Sequence, residues 1–500
     1  MKRSLFEDFW LISKPLKSNL KEVYSNKETE SNLVNTIKIF CINQNRYFGL
    51  AKNSGIFFEM SGKAYKELDS AKRSKNYTFS KEIVEQLNLL AKMGVFSKPE
   101  THKEQKYIDR VNINLCHECN LHCKYCFAEG GSYGLENGKM NEKTAKNTID
   151  EFIDQLPSGK SGNIILFGGE PLLNLDLANY IIEYCEKKAY ENGNEIVYDF
   201  FTNGTLINEN IMEIMKRKDN IRILLSLDGP PYINNKFRES YREQDVTSII
   251  ENNLKYIKPF MDRRVVVRCT IGWVKRDLIE RIAYFVDLGF KNIVIDPAYC
   301  ENIEGIDKTS EIWISLIDQL EDVTNFLISK IKEGKKININ LISEMVGQIL
   351  RNGKDEKIYE SYQCPGGSKY IAVDCSGDIY PCHFFVGNQE WAYCNVNQST
   401  IQQRNIVQNN GIRNLEKEVD AKCSTCDLKS ICEGPCPYKR LVLFPNSTDV
   451  QDEICRYMNI RVLESLRLIS EFYNKDNMPY KDYWEVYSRY KMLHGEKNEI

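Results

Sequence analysis

Cys119, Cys123 and Cys126 stand with three and two residues between them, directly after the alternating β-prone run Val111-Asn-Ile-Asn-Leu115. A loop that leaves a strand can turn three thiolates toward one metal centre. Closed iron–sulfur clusters usually take four cysteines. Three leave one iron open to a substrate or cofactor, the logic that separates open catalytic metal sites from closed structural ones. Cys116 offers a different reading, because Cys116-x2-Cys119 is itself a zinc-like spacing and a fourth thiolate would close a structural knuckle.

A second set of thiols lies far along the chain: Cys364-x12-Gly377-x4-Cys382, then Cys423-x2-Cys426-x5-Cys432-x3-Cys436, then Cys455. Seven thiols at such spacings are hard to explain as core residues; a pair of zinc sites is the bland alternative. Between the two sets, Gly168-Gly169-Glu170-Pro171 combines glycines, which let backbone approach a ligand, with a carboxylate that could accept from a cationic amine. Thr202-Asn203-Gly204 and Ser226-Leu-Asp228-Gly229 offer small polar groups to a ligand, or ordinary capping and turn chemistry. Arg268 is a candidate carboxylate partner or one half of an ion pair.

These residues need a scaffold, and the hydrophobic pattern supplies one. Strand and helix patterns alternate: Val111–Leu115 then Asn141–Leu156, Asn163–Phe167 then Asp176–Asn192, Ile196–Thr202 then Asn208–Lys216, Ile221–Asp228 then Asp245–Lys258, Val265–Gly272 then Asp277–Leu288, and Asn292–Asp296 then Glu311–Lys332. Six βα units predict a parallel α/β core. The motifs fall at the C-terminal ends of the strands, where chemistry collects in barrel folds.

Upstream, three short strands (Thr36–Ile42, Arg46–Leu50, Gly55–Glu59) and two helices (Ser61–Lys72, Ser80–Met93) predict a winged-helix-like module over 33–97. Residues 1–32 are a polar extension with one aromatic-apolar patch at Phe6, Phe9, Trp10 and Leu11, which could order on a neighbour. Near the end, Arg456–Tyr473 reads as an amphipathic helix.

Five hundred residues, 42% hydrophobic, suffice for two or three domains. A net charge of −3 gives no basic field, so nucleic acid is not an expected partner. Acidic residues interrupt the N-terminus before any signal-like apolar run, and no stretch approaches about 18 apolar residues, so neither export nor a membrane is expected. The chain reads as cytoplasmic. Seventeen cysteines in a reducing compartment point to metal rather than disulfides. Cys41, Cys185, Cys269 and Cys300 stand apart from both clusters and read as ordinary buried thiols.

Cys-x3-Cys-x2-Cys with an aromatic, Tyr125, before the last cysteine resembles the signature of the radical S-adenosylmethionine (SAM) enzymes. The resemblance implies that Cys119, Cys123 and Cys126 hold a 4Fe–4S cluster whose open iron is chelated by the amino and carboxylate groups of SAM, which is cleaved to a 5′-deoxyadenosyl radical. It makes residues 98–340 a partial (β/α)6 barrel. It implies SAM contacts from Tyr125, Phe127, Gly168, Gly169, Glu170, Asn203, Ser226, Asp228 and Arg268, with Glu170 at the SAM amino group and Ile293–Asp296 near adenine.

The C-terminal pattern, over 341–460, is similar to the SPASM extension of peptide-modifying members, implying two auxiliary 4Fe–4S clusters and three in all. Cys423, Cys426, Cys432 and Cys455 would hold the outer one, and Cys364, Cys382 and Cys436 the inner one. Pro365–Asp374 lacks the family's fourth inner cysteine, so Cys375 or Cys394 substitutes, or a peptide thiol binds the open iron. Sulfatase-maturing members place an aspartate base after the second cysteine of this domain; here His383 stands there as a candidate catalytic base. Residues 461–500 would form a C-terminal helical segment.

The module at 33–97 resembles leader-peptide recognition elements, whose exposed sheet edge takes an extended leader as an added strand. The expected function is therefore maturation of a ribosomally made, cysteine-containing precursor by joining cysteine sulfur to carbon, as in sactipeptides and ranthipeptides, with an external electron donor. The sequence Cys126-Phe-Ala-Glu-Gly130-Gly-Ser-Tyr133-Gly134 carries that likeness. Carbon–carbon crosslinking, epimerisation and formylglycine formation are the alternative products. A zinc-stabilised peptide-binding protein is the non-enzyme alternative.

Overall fold

The structure, a computed structural model, describes residues 8–12, 33–42, 46–74, 77–97, 107–299, 303–351, 364–398, 423, 425–432, 434, 436–438 and 449–472. Two sheets organise it. Strands β1 (Phe9–Leu11), β2 (Ile37–Ile42), β3 (Arg46–Ala51) and β4 (Ile56–Met60) form an antiparallel sheet in the order β1-β4-β3-β2. Helices α1 (Gly62–Arg73) and α2 (Lys81–Lys92) follow, α1 opening on Ser61, whose hydroxyl accepts from the Ala64 N–H at 3.1 Å.

All five residues of β4 are buried because the sheet is covered on both faces. Ile56, Phe58 and Met60 face the core of this unit, whereas Phe57 joins the larger core of the rest of the molecule. The sequence-predicted three-strand meander thus gains a fourth strand from the N-terminal patch, where Phe9 is fully buried; Phe6 lies outside the described residues.

The second sheet carries the six expected parallel strands in chain order: β5 (Arg110–Asn114), β6 (Ser161–Phe167), β7 (Glu195–Thr202), β8 (Ile221–Ser226), β9 (Val265–Ile271) and β10 (Asn292–Pro297). Between them run α3 (Glu142–Gln155), α4 (Leu175–Asn192), α5 (Glu209–Arg217), the short α6 (Pro231–Phe237), α7 (Val246–Ile257) and α8 (Leu278–Asp287). Asparagine and aspartate caps begin several of these helices, Asn141 accepting from the Thr144 N–H and Asp245 from the Ser248 N–H.

The expected single helix over Glu311–Lys332 is two, α9 (Thr309–Ile317) and α10 (Leu320–Lys332). Gln319 sits at the break, donating to Lys275 O at 3.0 Å and accepting from the Leu278 N–H at 3.1 Å, so it ties the helix pair to the loop after β9.

The C-terminal region extends the barrel sheet. β11 (Asn338–Ile339) pairs with β10, and β12 (Tyr370–Val373) lies parallel to β5 in the register Tyr370↔Arg110, with β13 (Asp378–Tyr380) and β14 (Cys394–Asn395) beyond it. Helix α11 (Asn340–Arg351) packs against α12 (Asp449–Phe472), which runs straight through the expected boundary at 460. Its buried residues Val462, Leu466, Leu468 and Ile469 belong to the main core. Of the isolated thiols, Cys185 and Cys269 are buried as expected, but Cys41 is exposed on β2; Cys300 lies outside the described residues. Among the described residues no helix is long and apolar enough to cross a membrane.

Candidate functional site

The loop from Cys116 to Cys126 leaves β5 and is clamped on both sides. On one, the Gly169 N–H donates to Cys116 O at 2.9 Å and the Glu170 N–H to Glu118 O at 2.8 Å. On the other, the His122 N–H donates to Glu239 O and the Lys124 N–H to Phe237 O, each at 2.9 Å. Packing against the loop is a reason in itself for Gly168 and Gly169 to be glycine: a Cβ on Gly168 would lie 2.4 Å from Cys116 O, and one on Gly169 2.0 Å from Glu118 O. Gly168 also has φ +129°, which favours glycine.

Cys119, Cys123 and Cys126 are electrostatic neighbours. Burial pushes the Cys119 thiol well up and the Cys123 thiol up to about 11, so these sulfurs stay protonated unless a metal holds them. Two side chains aim N–H groups at them: Asn203 Nδ2 lies 3.7 Å from Cys119 Sγ, and Arg238 Nη1 3.9 Å from Cys123 Sγ.

Cys116 is turned away, its Sγ donating to Glu118 O and Glu170 O, and burial raises it to about 11. Among the described residues no three His, Cys, Asp or Glu side chains converge closely enough to hold a single ion. Cys116, with its Sγ given to the Glu118 and Glu170 carbonyls, stands apart from the neighbours Cys119, Cys123 and Cys126. The donor set suits a larger cluster held by three thiolates.

Glu170 does not offer a free carboxylate. It is fully buried, with Oε1 accepting from the Leu172 N–H (3.0 Å) and Thr202 hydroxyl (2.8 Å) and Oε2 from the Asn203 N–H (2.7 Å). Burial outweighs these donors and lifts its carboxyl to about 7. Its role is to tie the end of β6 to the end of β7, which aims Asn203 at the loop; Asn203 Nδ2 also donates to Asn120 Oδ1 at 2.8 Å.

Asp228 is likewise committed. It is fully buried and accepts from Arg238 Nε and Nη2, both at 3.0 Å, from the Thr270 N–H at 2.8 Å, and from the Tyr125 hydroxyl. Within the protein both carboxylates act as braces, Glu170 between the ends of β6 and β7 and Asp228 between the cysteine loop, Arg238 and β9.

Ser226 closes β8, in register with Arg268 on β9. Arg268 is paired with Asp296 at 2.8 Å and lies 5.1 Å over the Phe201 ring. Phe127 does not join Tyr125. It meets Tyr133, His383 and Phe384, and with Phe167 these rings form an aromatic wall between the cysteine loop and the C-terminal thiols. Within it His383 Nδ1 lies 2.7 Å from the Tyr370 hydroxyl.

The C-terminal thiols fall into two sets. Cys382 has Cys436 and Cys364 as electrostatic neighbours, and Cys432 has Cys426, Cys455 and Cys423. Cys375 joins neither: its Sγ donates to Asn114 O at 3.2 Å beside Cys116. Cys394 sits on β14 opposite Ile379 and packs on the main core, whereas Cys364 and Cys382 pack on the aromatic one. The expectation that Cys375 serves as a fourth inner ligand fails because the turn after β12 points it back at β5.

Residues 113–272 match the family model of the radical SAM superfamily. This segment is a radical SAM domain. Over 350 residues the chain is 23% identical to a cysteine-type anaerobic sulfatase-maturating enzyme of Clostridium novyi, covering 66% of this chain and 88% of that protein. Over 352 residues it is 23% identical to the radical SAM cyclopropyl synthase TigE of Paramaledivibacter caminithermalis, covering 66% and 68%. The solved structure of anSMEcpe with bound AdoMet shares the fold, with TM-score 0.63 and 20% identity over 76% of this chain and 98% of that one.

A radical SAM domain works with SAM and an iron–sulfur cluster, and the loop thiols Cys119, Cys123 and Cys126 lie inside the matched segment. Arg238 and Asn120 were not legible as site residues. Asn120 could have been suspected from its place beside Cys119; Arg238 reaches the loop only through the tertiary approach of the chain after α6.

Proposed function

We propose that this chain is a radical SAM maturase of a ribosomally made, cysteine-containing peptide, and that it joins a cysteine sulfur to a carbon of the same peptide with net loss of two hydrogens per crosslink. Cys119, Cys123 and Cys126 would hold the SAM-binding 4Fe–4S cluster. Cys423, Cys426, Cys432 and Cys455 would hold an outer auxiliary cluster, and Cys364, Cys382 and Cys436 an inner one. When bound, and given an electron by an external donor, these groups would supply a 5′-deoxyadenosyl radical and a route by which the surplus electron leaves.

The protein's residues position and shield. Gly168, Gly169, Asn203 and Ser226 present backbone and small polar groups at the strand ends, where SAM would lie against Tyr125. Phe167, Phe201 and Phe384 would shield the space between the loop and the C-terminal thiols from water. The observation that carries the thioether reading is the inner set of three thiols beside that wall, with Cys375 held elsewhere; a peptide thiol is a fitting fourth ligand. An N-terminal sheet with a coverable edge supports peptide binding.

Sulfatase-type formylglycine formation is the second reading, favoured by the relative that spans 66% of the chain. His383, hydrogen-bonded to Tyr370 where that chemistry uses an aspartate base, weighs against it.

The test is anaerobic coexpression with the cysteine-containing peptide encoded beside this gene, then thiol alkylation and mass spectrometry. A loss of two hydrogens per event with unalkylated cysteines supports the thioether. A cysteine converted to an aldehyde assigns the second reading, and an unchanged peptide from SAM-cleaving enzyme removes both for that peptide.

A further inference from the structure

Two of the loop thiols are met by side-chain N–H groups from outside the loop, and the two donors differ in kind. At Cys119 the donor is the neutral amide of Asn203, 3.7 Å from Sγ, beside the Leu121 N–H at 3.4 Å. At Cys123 it is a full charge, with Arg238 Nη1 3.9 Å from Sγ. Arg238 is 6% exposed and Asp228 is fully buried, so water screens the charges of this pair little.

The pair is also oriented. Arg238 gives Nε and Nη2 to Asp228, each at 3.0 Å, and keeps Nη1 for the thiol. The carboxylate thus takes one edge of the guanidinium and the thiol faces its remaining nitrogen, and Cys123 feels Arg238 more strongly than Asp228. Other groups fix this arrangement. The Thr270 N–H donates to Asp228 Oδ1 at 2.8 Å, the Tyr125 hydroxyl donates to Oδ2, and the Tyr125 ring lies 5.5 Å from the guanidinium carbon.

A pair that served stability alone could turn either end to the loop. This one turns its cation to a sulfur that, as a cluster ligand, would gain negative charge whenever the cluster takes an electron. Net charge and hydrogen bonds at the ligand sulfurs set the potential of an iron–sulfur cluster, and a donor or a positive charge there favours the reduced form.

We propose that Arg238 acts through Cys123 to raise the reduction potential of the cluster that Cys119, Cys123 and Cys126 would hold, and that Asp228 is the counter-charge that limits the rise. The oriented pair then sets how readily an external donor delivers the electron. The inference rests on the assignment of that cluster to the loop.

The test is redox potentiometry of the full-length reconstituted enzyme without SAM, followed by electron paramagnetic resonance. The signal to follow is the one that SAM alters when added to a second sample. Arg238→Gln is expected to make reduction about tenfold less favourable, the order of one charge-assisted hydrogen bond; for one electron that is a shift of about 59 mV to lower potential. Asp228→Asn leaves the guanidinium uncompensated and should shift the potential upward. Arg238→Lys keeps the charge and should fall between Arg238→Gln and the wild type.

Opposite signs follow from charge; a loop that had merely loosened or admitted water would move both variants in one direction. Shifts of the same sign, or no shift in either variant, overturn the proposal and leave the cluster assignment standing. If Arg238→Gln does not fold, Asp228→Asn decides: an upward shift supports the proposal, and no shift or a downward one overturns it. A wild type with no SAM-responsive signal, and with an iron content that Cys119→Ala leaves unchanged, overturns the cluster assignment and the proposal with it.

Discussion

Gly169 shows how little freedom the cysteine loop has. Any side chain there meets Glu118 O at 2.0 Å, and that oxygen is backbone, so the loop itself must shift. Gly169→Ala is expected to displace Cys119 and lower the iron retained per reconstituted chain by one cluster's share, which iron and sulfide analysis would measure. The Asp228–Arg238 pair makes a second prediction. Both side chains are buried, and removing one partner of such a pair costs about 3–5 kcal/mol because the other charge is left uncompensated. Arg238→Met should lower the thermal midpoint sharply, and Arg238→Met/Asp228→Asn should recover part of it, a double-mutant cycle that isolates the coupling. The thiols were legible in the sequence because their spacing is a pattern that metal ligation would impose. Arg238 was not, since nothing in local pattern marks a charge that is needed only once two loops meet. The glycines were legible as important but for an incomplete reason, packing against the loop being invisible without the fold.

At the scale of elements, the turn between β12 and β13 is a local device with a pH signature. Asp374 accepts from the Ser376 and Asp378 N–H groups, both at 2.9 Å, yet burial dominates and raises its carboxyl from 3.8 to about 6. A raised folded value means that the folded chain holds the proton where the unfolded chain has lost it. Stability from this group is therefore full below the unfolded value and falls as pH rises through about 6. Between pH 5 and 7 the loss is roughly 1 kcal/mol. Asp374→Asn keeps the acceptor and removes the titration, so its thermal midpoint should change less over that interval than the wild type's. The six βα units were readable because buried parallel strands and amphipathic helices alternate without ambiguity. The pairing of β12 with β5 was not, because a strand joined to its partner by some 250 residues leaves no periodic trace, and three- or four-residue strands carry little pattern of their own.

At the scale of the whole molecule, the core does not respect the domain boundaries that composition suggests. One apolar cluster includes Phe40, Phe48 and Phe57 from the N-terminal sheet, the barrel strands, and Val462, Leu466 and Ile469 from α12. Polar contacts repeat the connection: Arg46 donates to Ser470 O at 2.6 Å, and Arg461 to Leu341 O and Asn340 O, each at 2.8 Å. Helix α12 also carries Cys455, so the element that bridges the N-terminal sheet to the barrel also supplies one of the outer thiols. An N-terminal unit that hung on a linker would melt separately from the barrel. One that shares a core must melt with it. Leu466 is fully buried, and Leu466→Ala should cost about 2–5 kcal/mol. The expected outcome in calorimetry is a single transition that moves down intact in the variant, with the near-ultraviolet signal of the N-terminal aromatics and the visible absorption of the reconstituted iron–sulfur centres lost together. Two resolved transitions, of which only the barrel's shifts, would mean that α12 does not couple the units.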